Sequence, residues 1–75
     1  MTGEENLRVN LRKLRMAKQP PLSQAAFAKK MGIERHTYSR YERGVSTVPA
    51  WLTLKAAQYY GVRPEDLFEH LPKKR

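Results

Sequence analysis

Proline and glycine interrupt this 75-residue chain so often that only short helices fit between them. Pro20 and Pro21 have no amide hydrogen and restrict the residue before them, so a first helix ends near Lys18. Further breaks follow at Gly32, Gly44, Gly61, Pro64 and Pro72. No run of alternating β-branched residues indicates a strand. The pattern predicts an all-α fold, a compact bundle of five short helices.

Capping residues and apolar spacing predict where these helices begin and end. In the first helix Thr2 is the cap, Glu5 completes a capping box, and Leu7, Leu11 and Leu14 form the inward stripe. The other helices are predicted from Ser23 to Met31, from Glu34 to Arg43, from Thr47 to Gly61, and from Pro64 to just before Pro72. Residues 1–72 are therefore expected to form one domain, and the basic residues 73–75 a disordered tail.

The charge balance indicates the class of partner. The chain has 15 Lys and Arg against 7 Asp and Glu, a net charge of +8. Such a balance favours a polyanion, most simply nucleic acid, with an acidic membrane surface or an acidic protein as alternatives. The bases of the first helix have no acid among them: Arg8, Arg12, Lys13, Arg15 and Lys18. Charge alone thus predicts the class of partner and nothing finer.

Several kinds of site are excluded or not expected. The chain has no cysteine, which excludes disulfides, thiolate zinc sites and thiol nucleophiles. Its two histidines, His36 and His70, cannot hold a metal without carboxylates, so we expect no metal and no cofactor; His70 is predicted to interact with the dipole of the last helix. No apolar run is long enough for a membrane span or a secretory signal. No Ser, His and acid arrangement stands out, so we expect a cytoplasmic protein that is not an enzyme.

Residues 23–44 have the spacing of two helices that cross closely. Ala28 is small enough for the contact, and Gly32 reaches the backbone conformation that a tight turn between the helices needs. Larger apolar side chains fill the wedge between the helices: Phe27, Ile33, Tyr38 and Tyr41. At about 100° per residue, the third helix then has two different faces. Its donors share one face, Arg35, His36, Ser39, Arg40 and Arg43, and its opposite face holds Thr37, Tyr38 and Tyr41. Such a face suits the DNA major groove, although a solvated helix can have the same pattern.

The segments that carry this pattern resemble one family. Residues 22–33 read LSQAAFAKKMGI and residues 37–44 read TYSRYERG, and the likeness continues through residues 57–62 and 66–68. The chain resembles the phage-repressor and Cro type of helix-turn-helix protein, the XRE-like and lambda-repressor-like DNA-binding domain. This resemblance implies a five-helix fold, a bacterial or phage origin, and a repressor that binds double-stranded DNA as a homodimer.

The resemblance also implies roles for individual residues. The positions that meet base edges are Arg35, His36, Ser39 and Arg40, and those that contact phosphates are Ser23, Gln24, Arg43, Ser46 and Thr47. Arg15 and Glu42 match a structural pair that joins the first helix to the third. Glu34 departs from the family, in which a neutral cap is usual at this position, so it is expected to accept from a cytosine amine or to turn to a neighbouring arginine.

Aromatic residues near the C-terminus have two possible roles. Ala50, Leu54, Ala57 and Gly61 mark one face of the fourth helix, which is expected to be its inward face. Trp51 and Tyr59 then either cover the edge of the core or form a dimer patch together with Leu67, Phe68 and Leu71.

The leading prediction is a sequence-specific DNA-binding transcriptional regulator. The alternative is a protein-interaction module, such as an antitoxin, that uses the same fold to bind a protein partner.

Overall fold

The computed structural model describes residues 3–69, and every regular element in this part of the chain is helical. The α-helices are α1 (Gly3–Met16), α2 (Gln24–Met31), α3 (Arg35–Arg43) and α4 (Ala50–Tyr60), and the 3-10 helix Pro64–Phe68 follows them. The predicted all-α fold is confirmed. The predicted cap Thr2, His70, Leu71 and the tail 73–75 lie outside the described residues.

The predicted count of five helices is not confirmed, because the fifth element is a 3-10 helix. The amide of Asp66 bonds to the Arg63 carbonyl at 3.0 Å, and the amide of Glu69 bonds to the Asp66 carbonyl at 3.2 Å. Both bonds span three residues rather than four, which is the 3-10 pattern and is typical of very short helical pieces. The fold therefore has four α-helices and one 3-10 helix within residues 3–69.

Local capping explains the helix boundaries. The Ser23 hydroxyl accepts from the Ala26 amide at 3.0 Å, which starts α2, and Gly32 ends this helix at a φ of 81°. The predicted start of α4 near Thr47 is wrong, because the helix begins at Ala50 with Pro49 as its N-cap. A proline drives the residue before it into extended backbone, so the chain cannot be helical at Val48, and Pro49 itself is still extended, with a ψ of 154°.

The core lies where all five elements meet. Phe27 of α2 is at its centre, with its ring 4.9 Å from the Tyr38 ring and 5.3 Å from the Tyr60 ring. The other elements contribute fully buried aliphatic side chains: Leu7, Leu11, Leu52, Ala56, Ala57 and Leu67. Of the side chains predicted to fill the wedge, Phe27 and Tyr38 are buried, while Ile33 and Tyr41 are half-buried against this core.

Two asparagines of α1 hold the 3-10 helix in place. The buried Asn10 side chain donates to the carbonyls of Leu67, at 2.7 Å, and of Glu69, while Asn6 donates to the Phe68 carbonyl at 3.1 Å. The last carbonyls of a helix have no partner within the helix, and the asparagine side chains satisfy three such carbonyls at the end of the 3-10 helix. Within the described range, no helix is long and apolar enough to span a bilayer.

Candidate nucleic-acid interface

The exposed face of α3 displays most of the predicted base-reading side chains. Arg35, His36 and Arg40 are exposed, Ser39 is half-buried beside them, and the exposed Arg43 extends the face toward the end of the helix. Tyr38 on the opposite side is buried in the core. The structure therefore brings these donors together on one solvent-facing surface.

Glu34 lies at the start of this face and does not cap α3. Its carboxylate makes no capping hydrogen bond, and its Oε1 lies 3.3 Å from Nδ1 of His36. The neighbour of Glu34 is therefore a histidine and not the expected arginine, and the alternative that Glu34 accepts from a cytosine amine stays a prediction. Both side chains are exposed, so their interaction contributes little to stability.

A buried junction lies behind the exposed face and joins three helices. Arg15 of α1 donates from Nε to Glu42 Oε2 at 2.8 Å and from Nη2 to Glu42 Oε1 at 2.9 Å. Gln24 of α2 also donates to Glu42 Oε1, at 3.0 Å. The structure therefore brings the predicted pair together and adds Gln24, so one carboxylate on α3 fixes this helix against both α1 and α2.

The same guanidinium holds the linker between α1 and α2. Arg15 donates from Nη1 to the Leu22 carbonyl at 2.9 Å, while the Leu22 amide donates to the Arg15 carbonyl at 3.0 Å. The linker containing Pro20 and Pro21 is therefore closed onto the end of α1 by two hydrogen bonds that run in opposite directions.

Ionisation of the junction follows from its contacts. Burial on its own would raise the pKa of Glu42, but the contacts with Arg15, with the Tyr38 hydroxyl and with Gln24 outweigh burial and hold this pKa below its ordinary value. The hydrogen bond to Glu42 raises the pKa of Arg15. Both members of the pair are therefore ionised at neutral pH, and the guanidinium and the carboxylate are joined by two parallel, charge-assisted hydrogen bonds.

The loop after α3 folds back onto the end of this helix. Gly44 adopts a φ of 78°, and the amides of Val45 and Ser46 bond to the Arg40 carbonyl at 3.0 and 3.4 Å. The Arg40 side chain also reaches the loop, since its Nε donates to the Ser46 hydroxyl at 3.2 Å. Two of the residues predicted from sequence, Arg40 and Ser46, therefore contact each other.

The comparison with protein families decides the identity. The helix-turn-helix domain family matches residues 6–71. This chain is an XRE-like, Cro-type helix-turn-helix protein. The resemblance found in the sequence is thereby confirmed. Neither the comparison with curated proteins nor the comparison with solved structures gives a match.

The predicted phosphate contacts of this helix-turn-helix protein come from the start of α2 and from the end of α3 and the loop after it. Ser23 and Thr47 are exposed, and the Ser23 hydroxyl still has its hydrogen to donate after accepting from Ala26. Gln24 is half-buried and uses its amide nitrogen on Glu42. A phosphate role for Ser23, Gln24, Arg43, Ser46 and Thr47 stays a prediction.

A basic groove of about 320 Å³ flanks the helix-turn-helix along α1. It is lined by Arg8, Val9, Arg12, Lys13, Met16 and Glu42. Arg8 crosses from α1 to the end of α3, where its Nε lies 2.8 Å from the point that a Cβ on Gly44 would occupy. The acid-free run of bases in α1 is the sequence signal for this groove, but its contact with Gly44 has no signal in the sequence.

The predicted dimer patch needs two corrections. Leu67 is 0% exposed and belongs to the core, where it packs beneath α1. Tyr59 is half-buried against Phe27, at 5.8 Å between rings, with the Lys18 ammonium 4.9 Å above its ring, so it covers the core edge. Leu71 lies outside the described residues.

An exposed apolar patch nevertheless lies on α4 and the 3-10 helix, formed by Trp51, Leu54 and Phe68, which are 49%, 56% and 41% exposed. Of the predicted inward face of α4, only Ala57 is buried, and the expectation is wrong for Ala50, Leu54 and Gly61, which are exposed. The buried stripe of α4 is instead Leu52, Thr53, Ala56 and Ala57. Thr53 can be buried because its hydroxyl donates to the Pro49 carbonyl at 3.2 Å, and with Thr53 inside, Leu54 turns outward. The apolar pattern alone misses Leu54, because it gives no sign that a threonine takes the buried position.

No group of three or more His, Asp or Glu side chains that could hold a metal occurs among residues 3–69.

Proposed function

We propose that this helix-turn-helix protein is a sequence-specific transcriptional regulator, acting as a repressor, that reads the DNA major groove with α3. Membership of the family implies DNA as the partner. The observation that supports sequence reading is the exposed face of Arg35, His36 and Arg40 on a helix whose back is fixed by the buried Arg15–Glu42 pair. Arginine is the commonest reader of guanine, and a rigid helix keeps its side chains in register with the bases.

The proposal is tested by selecting binding sites from randomised duplex DNA with the full chain. We expect a defined consensus, and a log–log slope of affinity against salt of about −5 for ~6 phosphate contacts. A chain that shows no preference among duplexes, or a slope near zero, would contradict the proposal. Repression and a bacterial or phage origin follow from the resemblance alone, whereas a cytoplasmic location is expected from the sequence because no apolar run is long enough for a membrane span or a secretory signal. All three stay predictions.

We propose that the protein binds as a homodimer through the apolar patch of Trp51, Leu54 and Phe68. Two recognition helices would then enter major grooves about 34 Å apart on a pseudo-palindromic site. Basic residues crowd α1 and α3, whereas the surfaces that the patch residues line include one cation, Lys55, and one acid, Glu4, so two copies can meet here with less repulsion.

Leu54→Glu tests the dimer because it places a charge in the patch without touching the core. We expect it to bind half-sites as before and to lose cooperative binding to the full palindrome. Gln19→Glu adds the same charge at an exposed position of the α1–α2 linker and is expected to behave as wild type. A consensus with only one half-site would overturn the dimer and leave DNA binding intact.

The same patch favours the second candidate, an antitoxin-like module that binds a protein partner. An exposed apolar surface of three large side chains can take up such a partner as well as a second copy. This candidate predicts a stable heteromeric complex together with weak duplex binding that shows no sequence preference. Binding-site selection therefore separates the two candidates.

A further inference from the structure

The contact between Arg40 and Ser46 joins two residues to which the family resemblance gives different tasks, base reading and phosphate contact. We propose that Ser46 is a positioning residue, which holds the Arg40 guanidinium in the orientation that reads a base pair and so acts on sequence selectivity. The inference rests on the proposed function. It is carried by the hydrogen bond from Arg40 Nε to the Ser46 hydroxyl, 3.2 Å long, between an exposed arginine and a half-buried serine.

The backbone makes this contact part of a fixed unit. The Arg40 carbonyl accepts from the amides of Val45 and Ser46, and Gly44 turns the chain so that both amides reach it. Beyond Ser46 the chain is anchored again, because Val48 is buried and its amide donates to Glu4 of α1 at 3.3 Å. The Ser46 hydroxyl is therefore held beside Arg40 by the loop on both sides of it.

The chemistry of arginine explains how Ser46 can hold Arg40 without preventing it from reading a base. A guanidinium has five N–H donors, and Ser46 takes only the one on Nε. The two terminal nitrogens remain for the acceptor pair of a guanine, O6 and N7. An exposed arginine otherwise samples many rotamers. If its aliphatic part is already held before binding, the side chain loses less conformational entropy when it binds DNA.

A phosphate contact by Ser46 predicts a different result. The Ser46 hydroxyl still has a hydrogen to donate, so a contact to the DNA backbone is chemically possible. Losing such a contact weakens all sequences alike, because phosphates carry no sequence information. Losing a positioning contact weakens selectivity at one base pair and leaves nonspecific binding unchanged.

The experiment measures affinities of the full chain for its selected site and for that site changed at each base pair. Wild type is compared with Ser46→Ala, Ser46→Thr, Arg40→Ala and the double variant, each checked for folding by circular dichroism. We expect Ser46→Ala to lose about 3- to 10-fold in preference at the same base pair that Arg40→Ala affects, the factor of one ordinary hydrogen bond. Ser46→Thr keeps the hydroxyl and is expected to retain the preference, and the double variant is expected to match Arg40→Ala.

Three results would overturn the inference while wild type still selects a consensus. These are a uniform loss for all sequences, losses that add in the double variant, and an unchanged preference in Ser46→Ala. If wild type itself shows no preference, the proposed function fails and the inference falls with it. The wild-type measurement therefore distinguishes the two failures.

Discussion

The Arg15 guanidinium meets the Glu42 carboxylate side-on, with Nε 2.8 Å from Oε2 and Nη2 2.9 Å from Oε1. The side chains are 8% and 4% exposed, so this ion pair between α1 and α3 is almost fully withdrawn from water. A buried pair of this kind adds little net stability, but losing one partner leaves a charge without its counterion. The orientation of α3 therefore depends on a charged group 27 residues earlier in the chain.

Replacing Glu42 is expected to destabilise the fold and weaken specific binding. Glu42→Ala leaves the buried Arg15 guanidinium uncompensated, and the free energy of unfolding falls by about 3–5 kcal/mol. That is a large part of the roughly 4–11 kcal/mol expected for a chain of this size. Urea unfolding and operator affinity measure the two effects.

The double variant Arg15→Met/Glu42→Leu is the matched control. It removes both charges and fills the space with apolar groups, but the Leu22 carbonyl and the Gln24 amide also lose a partner, so we expect a loss of about 1–2 kcal/mol, smaller than that of Glu42→Ala. A single variant Glu42→Ala with intact operator affinity would contradict the role of the pair in orienting α3.

Acid is expected to remove the contribution of the ionised Glu42 carboxylate to the free energy of unfolding. Because its folded-state pKa lies below the ordinary 4.5, the unfolded chain takes up the proton first as pH falls. The contribution is complete above 4.5 and is lost as pH drops from there through the lower pKa of the folded state. Urea unfolding of wild type and Glu42→Gln between about pH 3 and 6 measures this. The stability difference between the two proteins is expected to be constant near neutral pH and to shrink in acid; a difference that grows in acid would contradict the assignment.

Tyr38→Phe is expected to raise stability by about 1 kcal/mol, because the buried Tyr38 hydroxyl makes no well-formed hydrogen bond within the described part of the chain. Burial, together with the nearby Glu42 carboxylate, also raises the pKa of Tyr38, so above pH 10.0 the unfolded chain ionises first and wild type loses stability. Tyr38→Phe has no hydroxyl to ionise at this position, so it is expected to lose less stability than wild type above pH 10.0. Thermal unfolding at neutral pH and at alkaline pH tests both statements, and a loss of about 1 kcal/mol or more at neutral pH would indicate a hydrogen bond from this hydroxyl to Glu42.

Gly44→Ala is expected to cost about 1–2 kcal/mol, because its φ of 78° is strained for a residue with a Cβ. The new Cβ would also meet Arg8, but the end of this flexible side chain can move away. Gly61→Ala is the matched control, with a φ of 72° and no atom within 4 Å of its Cβ position. Urea unfolding is expected to give nearly equal losses for both variants. A much larger loss for Gly44→Ala would show that Arg8 is held in place.

Arg40→Ala and Arg43→Ala are expected to weaken DNA binding in different ways. Arg40→Ala costs about 1–3 kcal/mol of discrimination at one base pair. Arg43→Ala weakens all sequences alike and makes the salt slope shallower by about 0.9. Arg63→Ala is the control, because Arg63 is paired with Asp66 at 3.2 Å beside the 3-10 helix. Titration of consensus and mismatched duplexes at several salt concentrations separates the three variants, and a uniform loss in Arg40→Ala would remove it from the base-reading set.

The boundaries of α2 and α3 were predictable from the sequence because their signals are local. The Ser23 hydroxyl bonds to an amide three residues later, and Gly44 supplies a backbone angle at its own position. The outward direction of Arg35, His36 and Arg40 follows from the period of a helix, once the burial of Tyr38 is recognised. These features depend on interactions within one or two turns.

Other features depended on which elements meet in three dimensions. The burial of Leu67 and the exposure of Leu54 depend on where α1 and the 3-10 helix lie against α4, and apolar character is the same for both residues. The contact of Arg8 with Gly44 joins residues 36 positions apart in the sequence, and local conformational preferences cannot predict a contact between residues so far apart. The sequence alone therefore determined where the central helices begin, where they end and which face carries charge, because hydrogen bonds and φ restrictions act within a few residues. Only the tertiary structure decided which apolar side chains remain in water, because burial depends on neighbours that the chain brings together from afar.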